Sequence, residues 1–206
     1  MGQTMSPSEA TPDQIVKMNE LTGHGLRKAR FPSDKFQVVM EQQGKSIVDE
    51  FVALVRRRVE AISNLIVRTA KVNRGRSQQE AIEATGRAQY TDRKVVDSMP
   101  KGEGDEVEVV FFKPDLSERN GLISDDDLEK EFELRGLKPA DPISVAAVNE
   151  ADPAFADEKP HGTHWKDAKG NWCYATFDRW IGKRKVYVNR SDGGWDDYWW
   201  FAGVRK

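Results

Sequence analysis

The sequence predicts an α+β protein: an N-terminal helical segment with one long amphipathic helix, then a compact domain of short helices packed on a Trp-rich antiparallel β meander of three to four strands. Three observations predict it. A series of Val and Ile residues recurs at spacings of four and three in the first third of the chain. All six tryptophans lie between Trp165 and Trp200. Around them, apolar and polar residues alternate in short runs separated by glycine-bearing turns. The expected organisation is a flexible N-terminus over 1–10, a helical segment over 11–100 and an α+β domain over 101–206.

Thr11-Pro12-Asp13-Gln14 reads as a helix start, with Thr11 as N-cap, Pro12 at the first helical position and Gln14 closing a capping box. Its end is expected near Leu21–Gly23, where glycine suits a left-handed cap. From about Ser33 to Lys71 there is no proline and a single glycine, Gly44. Within this stretch Val48, Val52, Val55, Val59, Ile62 and Ile66 form a helical seam, widened by Phe51 and Leu65. Asn73–Arg76 breaks the helix. Ser77 and Glu80 form a second capping box, and Gly86 stops the short helix that follows. Thr91-Asp92 starts a further turn or two, which Pro100 ends, and Lys101–Asp105 is the expected domain joint.

Glu106–Phe112 reads as a strand. Ser124 caps a helix whose first turn holds Asp125, Asp126 and Asp127, carboxylates suited to the positive end of the helix dipole. Gly136 ends it. Asp141-Pro142 and Asp152-Pro153 each predict an N-cap followed by Pro, hence two short helices. Asn171–Ile181, Arg184–Arg190 and Tyr198–Arg205 are the meander strands, with turns at Gly182-Lys183 and Ser191–Gly194. The strand at Val107–Phe112 can join them.

Composition narrows the function classes. Net charge is −2, but residues 1–100 hold 16 Lys/Arg against 12 Asp/Glu, and residues 101–206 hold 16 against 22. The one cysteine, Cys173, excludes an intrachain disulfide and suits a reducing, cytoplasmic setting. No apolar run approaches the roughly 18 residues of a membrane helix, so a membrane is excluded as partner.

No catalytic or cofactor motif is present. His161-Gly-Thr-His164 with Asp167 and Cys173 lacks the ligand spacing of a structural zinc site and reads as a polar loop before a strand. Consecutive aspartates at 125–127 point in different directions on a helix and cannot converge on calcium. Cys173 alternates with Ala175, Phe177 and Ile181, the pattern of a buried face. No phosphate loop or nucleophile elbow occurs. No catalytic residue, metal ligand or cofactor is therefore expected.

Two binding signals remain beside the seam. Arg56, Arg57, Arg58, Arg68, Lys71, Arg74 and Arg76 could contact the phosphates of a nucleic acid, although consecutive arginines splay around a helix and form no single stripe. Trp172, Tyr174, Trp180 and Tyr187 share one sheet face with Thr176, Asp178 and Asn189, a surface for a peptide or sugar unless the helices of 124–157 cover it. Cover is the expected arrangement, because so many exposed tryptophans would make an unusually large apolar patch.

From about Arg87 to Lys206 the chain resembles a group of small bacterial hypothetical proteins. The stretches that carry the likeness are Ser124–Leu137, Pro139–Pro142, Asn149–Asp157, Gly162–Asp167 and Trp199–Gly203. The resemblance implies a bacterial cytosolic origin and no particular activity, ligand or functional residue. The leading functional expectation is a non-enzymatic interaction or scaffold protein that docks on a protein partner or self-associates through the 48–66 seam. Nucleic-acid binding through 56–76 is the second reading, and an enzyme with a site of unfamiliar form the third.

Overall fold

The structure is a computed structural model and describes residues 10–62, 65–114, 116 and 119–206, without the side chains of 57, 58 and 60–62. The expected flexible N-terminus lies, apart from residue 10, outside the described residues. The chain divides into two units, 1–63 and 64–206.

The first unit consists of two helices, α1 (Pro12–Ala29) and α2 (Ser33–Ile62). Thr11 caps α1 and forms the expected capping box with Gln14. The helix runs past Gly23 and Gly25 to a left-handed Arg30 (φ 51°). An interior glycine costs about 1 kcal/mol without breaking a helix. The effective stop is Pro32, which disfavours helical backbone at Phe31. At 30 residues, α2 spans about 45 Å.

The second unit is one eight-stranded sheet with five helices among the described residues. Its strands are β1 (Leu65–Lys71), β2 (Ala88–Thr91), β3 (Glu106–Phe112), β4 (Leu137–Pro139), β5 (His161–Lys166), β6 (Trp172–Trp180), β7 (Lys183–Arg190) and β8 (Trp200–Arg205). The helices are α3 (Gln78–Ala84), α4 (Arg93–Val96), α5 (Asp125–Leu134), α6 (Pro142–Ala151) and α7 (Phe155–Glu158). Strand order is β1-β3-β8-β5-β6-β7-β2, with β4 also on β8.

The α+β class stands, but the expected meander of three to four strands ending in Tyr198–Arg205 does not. β5, β6 and β7 are successive antiparallel neighbours, so the hairpins are β5–β6 and β6–β7; β8, expected next to β7, crosses away to lie between β3 and β5. The β6–β7 turn is Ile181-Gly182, both at positive φ (50° and 74°), one residue earlier than expected. Ile181, expected on the buried face, is thus lifted into solvent at 85% exposure.

The helical segment expected over 11–100 ends at Ile62. Leu65–Lys71, with β-branched Ile66, Val67 and Thr69, pairs antiparallel with β3 from Leu65↔Phe112 to Lys71↔Glu106. Nor does the 101–105 loop separate domains. The Arg74 guanidinium donates to the carbonyls of Lys101, Glu103 and Gly104, to the Asp141 carboxylate and to Ser144, clamping the loop onto the start of α6. Gly102 sits at φ 67°, where a Cβ would collide with the Asp141 carboxyl.

Two cores flank the sheet. On one face α3, α4, α6 and α7 bury Phe111, Cys173, Ala175, Phe177, Val186 and Val188. The apolar run of α6 explains its place there, since Pro142–Asn149 is buried without a break. On the other face Leu128 and Phe132 of α5 pack with Val110, Phe112, Leu137 and Phe201. Capping at Ser77, Asp92, Ser124 and Asp141 follows the sequence expectation; α7 instead begins after Ala154 with no side-chain cap.

Candidate functional site

Three regions bear the residues singled out from the sequence. The seam splits. Val48, Val52, Val55 and Val59 lie on α2, and none of them is buried. The Ile62 side chain lies outside the described residues. Ile66 is not on the helix: it sits in β1, 1% exposed, inside the sheet core. Its β-branched neighbours and the pairing with β3 outweigh the helical spacing that placed it in the seam.

The basic stretch divides in the same way. Arg56 is exposed on α2, and the side chains of Arg57 and Arg58 lie outside the described residues. Arg68, Lys71, Arg74 and Arg76 belong to the second unit. There the Arg68 guanidinium lies over the Phe155 ring, Arg74 pairs with Asp141, and Arg76 pairs with Glu150.

The aromatic residues line a concavity. β6 alternates: Cys173, Ala175 and Phe177 face the helix-covered core, and Tyr174, Thr176, Asp178 and Trp180 face the other way. On that second face, β7 adds Tyr187 and the 191–199 segment adds Ser191, Asp192, Trp195 and Trp199, enclosing a cleft of about 380 Å3. No residue of α5, α6 or α7 lines it. The cover expected from 124–157 therefore falls on the opposite face and beside Trp172, not over the cleft. Trp172 itself is apart from the other three, stacked on His164 at 4.5 Å.

Asp178 sits at the floor of the cleft, 6% exposed, and its Oδ1 has no hydrogen-bond partner. Burial pushes its carboxyl above the ordinary range against the pull of Lys185 and Arg87. Lys185 is its cross-strand neighbour, but the Lys185 ammonium lies over the Tyr90 ring, 5.2 Å from the centroid.

A second buried carboxylate holds the wall of the cleft in place. Asp125, at the first position of α5, accepts from Ser191 Oγ (2.6 Å), Trp195 Nε1 (2.9 Å) and His164 Nδ1 (2.8 Å). Burial raises the Asp125 pKa, but these three donors outweigh it and hold the carboxyl below its usual value. Burial likewise opposes charge on His164. The Asp125 bond, with Glu129 beside it, overcomes this and keeps the imidazole above its ordinary value. Nε2 stands 3.1 Å from Glu129 Oε1 but is not aligned for a hydrogen bond, so that contact is ionic. The imidazole borders a broader cleft of about 970 Å3 with Asp126, Glu129, Lys166 and Arg205 at its rim. It is fully buried, stacked under Trp172 and closed off by Glu129, an arrangement that fixes structure rather than presenting a base to solvent.

The segment expected to be a polar loop, His161–Lys166, is the central strand β5, buried from His161 to Trp165. His161 and His164 project to opposite faces. His161 meets Phe111, Phe155 and Phe177 and accepts from Asn149 Nδ2 at Nε2 (2.8 Å), with Nδ1 donating to the Lys159 carbonyl (2.7 Å). The pair therefore cannot share one metal ion. Trp195, Trp199, Ser191 and Asp192 were not singled out as site residues from the sequence. Their signal was the density of Trp after the Ser191–Gly194 turn. No protein-family model, curated protein or solved structure matches this chain.

Proposed function

We propose that this is an interaction protein whose copies pair through the Val48–Val59 face of α2. One observation carries the reading. No described residue of α1 or α2 is buried, and Val48, Val52 and Val59 are 54%, 50% and 53% exposed. Burial of each such side chain is worth about 1.5–3 kcal/mol, so an apolar stripe of this length favours a partner surface.

The charge pattern favours a second copy in antiparallel orientation. A two-fold axis between Ala53 and Leu54 sets Val48 against Val59 of the partner subunit and Val52 against Val55 of the partner subunit. It also brings Asp49 within a turn of Arg56 of the partner subunit, an opposite-charge flank of the kind that selects pairing. A parallel pair would instead stack the 56–58 arginines on their own copies, which like-charge repulsion disfavours.

Sedimentation equilibrium tests the reading. The full chain, 23.4 kDa as a monomer, is expected to approach twice that mass at micromolar concentration. Val52→Asp with Val55→Asp is expected to return it to monomer while the near-ultraviolet signal of the tryptophan-bearing unit persists. A wild-type monomer at every concentration, or a double variant that still dimerises, contradicts it.

A further inference from the structure

We infer that the cleft between β6, β7 and the 191–199 segment binds a small organic ammonium ion, with Asp178 as its counter-charge. The inference concerns the second unit and stands independently of α2 pairing.

One buried oxygen of the cleft floor lacks a donor. A carboxylate oxygen removed from water and left without a donor is costly, and buried polar groups are normally paired. Asp178 Oδ1 is buried, unpartnered, and part of the cleft floor. A donor brought by a ligand would satisfy it, and a charged donor would do so about twice as strongly as a neutral one.

The walls select the charge. Five aromatic rings line the cleft, from Tyr174, Trp180, Tyr187, Trp195 and Trp199, and aromatic faces attract cations. Among the described residues no Lys, Arg or His lines it, whereas a second carboxylate, Asp192, does. Lys185, across the strand from Asp178, lies over the Tyr90 ring at 5.2 Å and the Tyr187 ring at 5.9 Å and does not hydrogen-bond Oδ1. An anion would meet two carboxylates, and a neutral sugar could donate to Oδ1 but would bring no opposite charge, the weaker of the two pairings. At about 380 Å3 the cleft is at the small end for a ligand site, the size of a compact head group rather than an extended chain. Such a head can belong to a free alkylamine or to a lysine side chain, and the probes below distinguish the two.

The experiment is a calorimetric titration of the full chain with n-butylammonium chloride, choline chloride and N-acetyl-lysine methylamide, with n-butanol as the neutral isostere. Saturable binding of at least one ammonium probe is expected, with n-butanol weaker by about tenfold or more. Asp178→Asn, which keeps shape and removes charge, is expected to weaken binding by about tenfold or more. Trp180, 55% exposed and therefore replaceable without opening a core, gives the second variant; Trp180→Ala is expected to weaken binding about fivefold. Response to n-butylammonium assigns a free amine as source, with choline, whose quaternary nitrogen has no N–H to donate, expected to bind more weakly; response to the lysine derivative alone assigns a side chain. No saturable binding of any ammonium probe, equal binding of n-butanol, or unchanged affinity in both variants overturns the inference.

Discussion

Asp125→Ala is expected to lower the stability of the tryptophan-bearing unit by about 3–5 kcal/mol, the cost of removing one partner from a buried charge network. The loss would come from what remains. His164 Nδ1, Ser191 Oγ and Trp195 Nε1 all donate to this carboxylate; alanine leaves the two ring donors without their acceptor and Ser191 Oγ with only the long bond to the Gly193 carbonyl (3.4 Å). The imidazole would be worst placed, because its side chain is fully buried and Glu129 is its one remaining polar neighbour among the described residues. A domain with about 5–15 kcal/mol in total would lose a large share of it.

The measurement is the urea midpoint, with the near-ultraviolet circular dichroism of Trp195 as a local reporter. Adding His164→Leu to Asp125→Ala should recover at least about 1 kcal/mol, because the orphaned buried donor goes with its partner. A single-variant cost under about 1 kcal/mol would mean that Asp125 does not pin the 191–199 segment.

The second large effect is an acid-side loss of stability from His161. Burial among Phe111, Phe155 and Phe177 pushes its pKa down to about 3, although the Lys159 carbonyl pulls the other way. In the unfolded chain an ordinary histidine titrates near about 6.5. Between those values the unfolded state binds the proton and the folded state does not. The contribution is therefore complete above about pH 6.5 and falls by about 1.4 kcal/mol per unit as pH drops towards 3.

The clean window is about pH 6.5 to 4.5, above the range where most carboxylates titrate, and the expected loss there is about 2–3 kcal/mol. His164 does not mask it. A raised imidazole pKa gives stability that is complete below the unfolded value and is lost only as pH rises through the folded one. His161→Phe, matched to its aromatic neighbours, should flatten the slope whatever it does to the plateau. A slope of equal size in that variant would place the acid sensitivity elsewhere.

These two histidines also mark where the sequence stopped being legible. Helix starts were readable because their signals are local: Thr11 with Gln14, Ser77 with Glu80, and Ser124 and Asp141 each cap within three residues. The strands β3, β6 and β7 were readable from alternation and β-branched content. His161–Lys166 was not, because a strand with Gly, two His and Thr has no apolar period. Its burial depends on partners far along the chain: Asn149 for His161, the Ala140 carbonyl for Thr163 and Asp125 for His164. β1 failed for the opposite reason. Ile66 continued a helical spacing by coincidence, and only its pairing with Phe111 shows it to be strand. Of the aromatic cleft, Tyr174, Trp180 and Tyr187 followed from alternation along β6 and β7. Asp178 was placed on the right face, but its missing partner is a three-dimensional fact, as is the return of Trp195 and Trp199 to the same cleft.

The proposed pairing of α2 is tested most directly as a distance between copies. A nitroxide attached at Gln42→Cys lies on an exposed part of α2, and Cys173, the one native thiol, is fully buried and does not compete for label. With the two-fold axis between Ala53 and Leu54, pulsed dipolar spectroscopy should give an intermolecular separation of about 35 Å from the helical rise alone. No intermolecular coupling at concentrations where the unlabelled chain is expected to pair, or a separation of about 10–15 Å as parallel helices would give, contradicts the account.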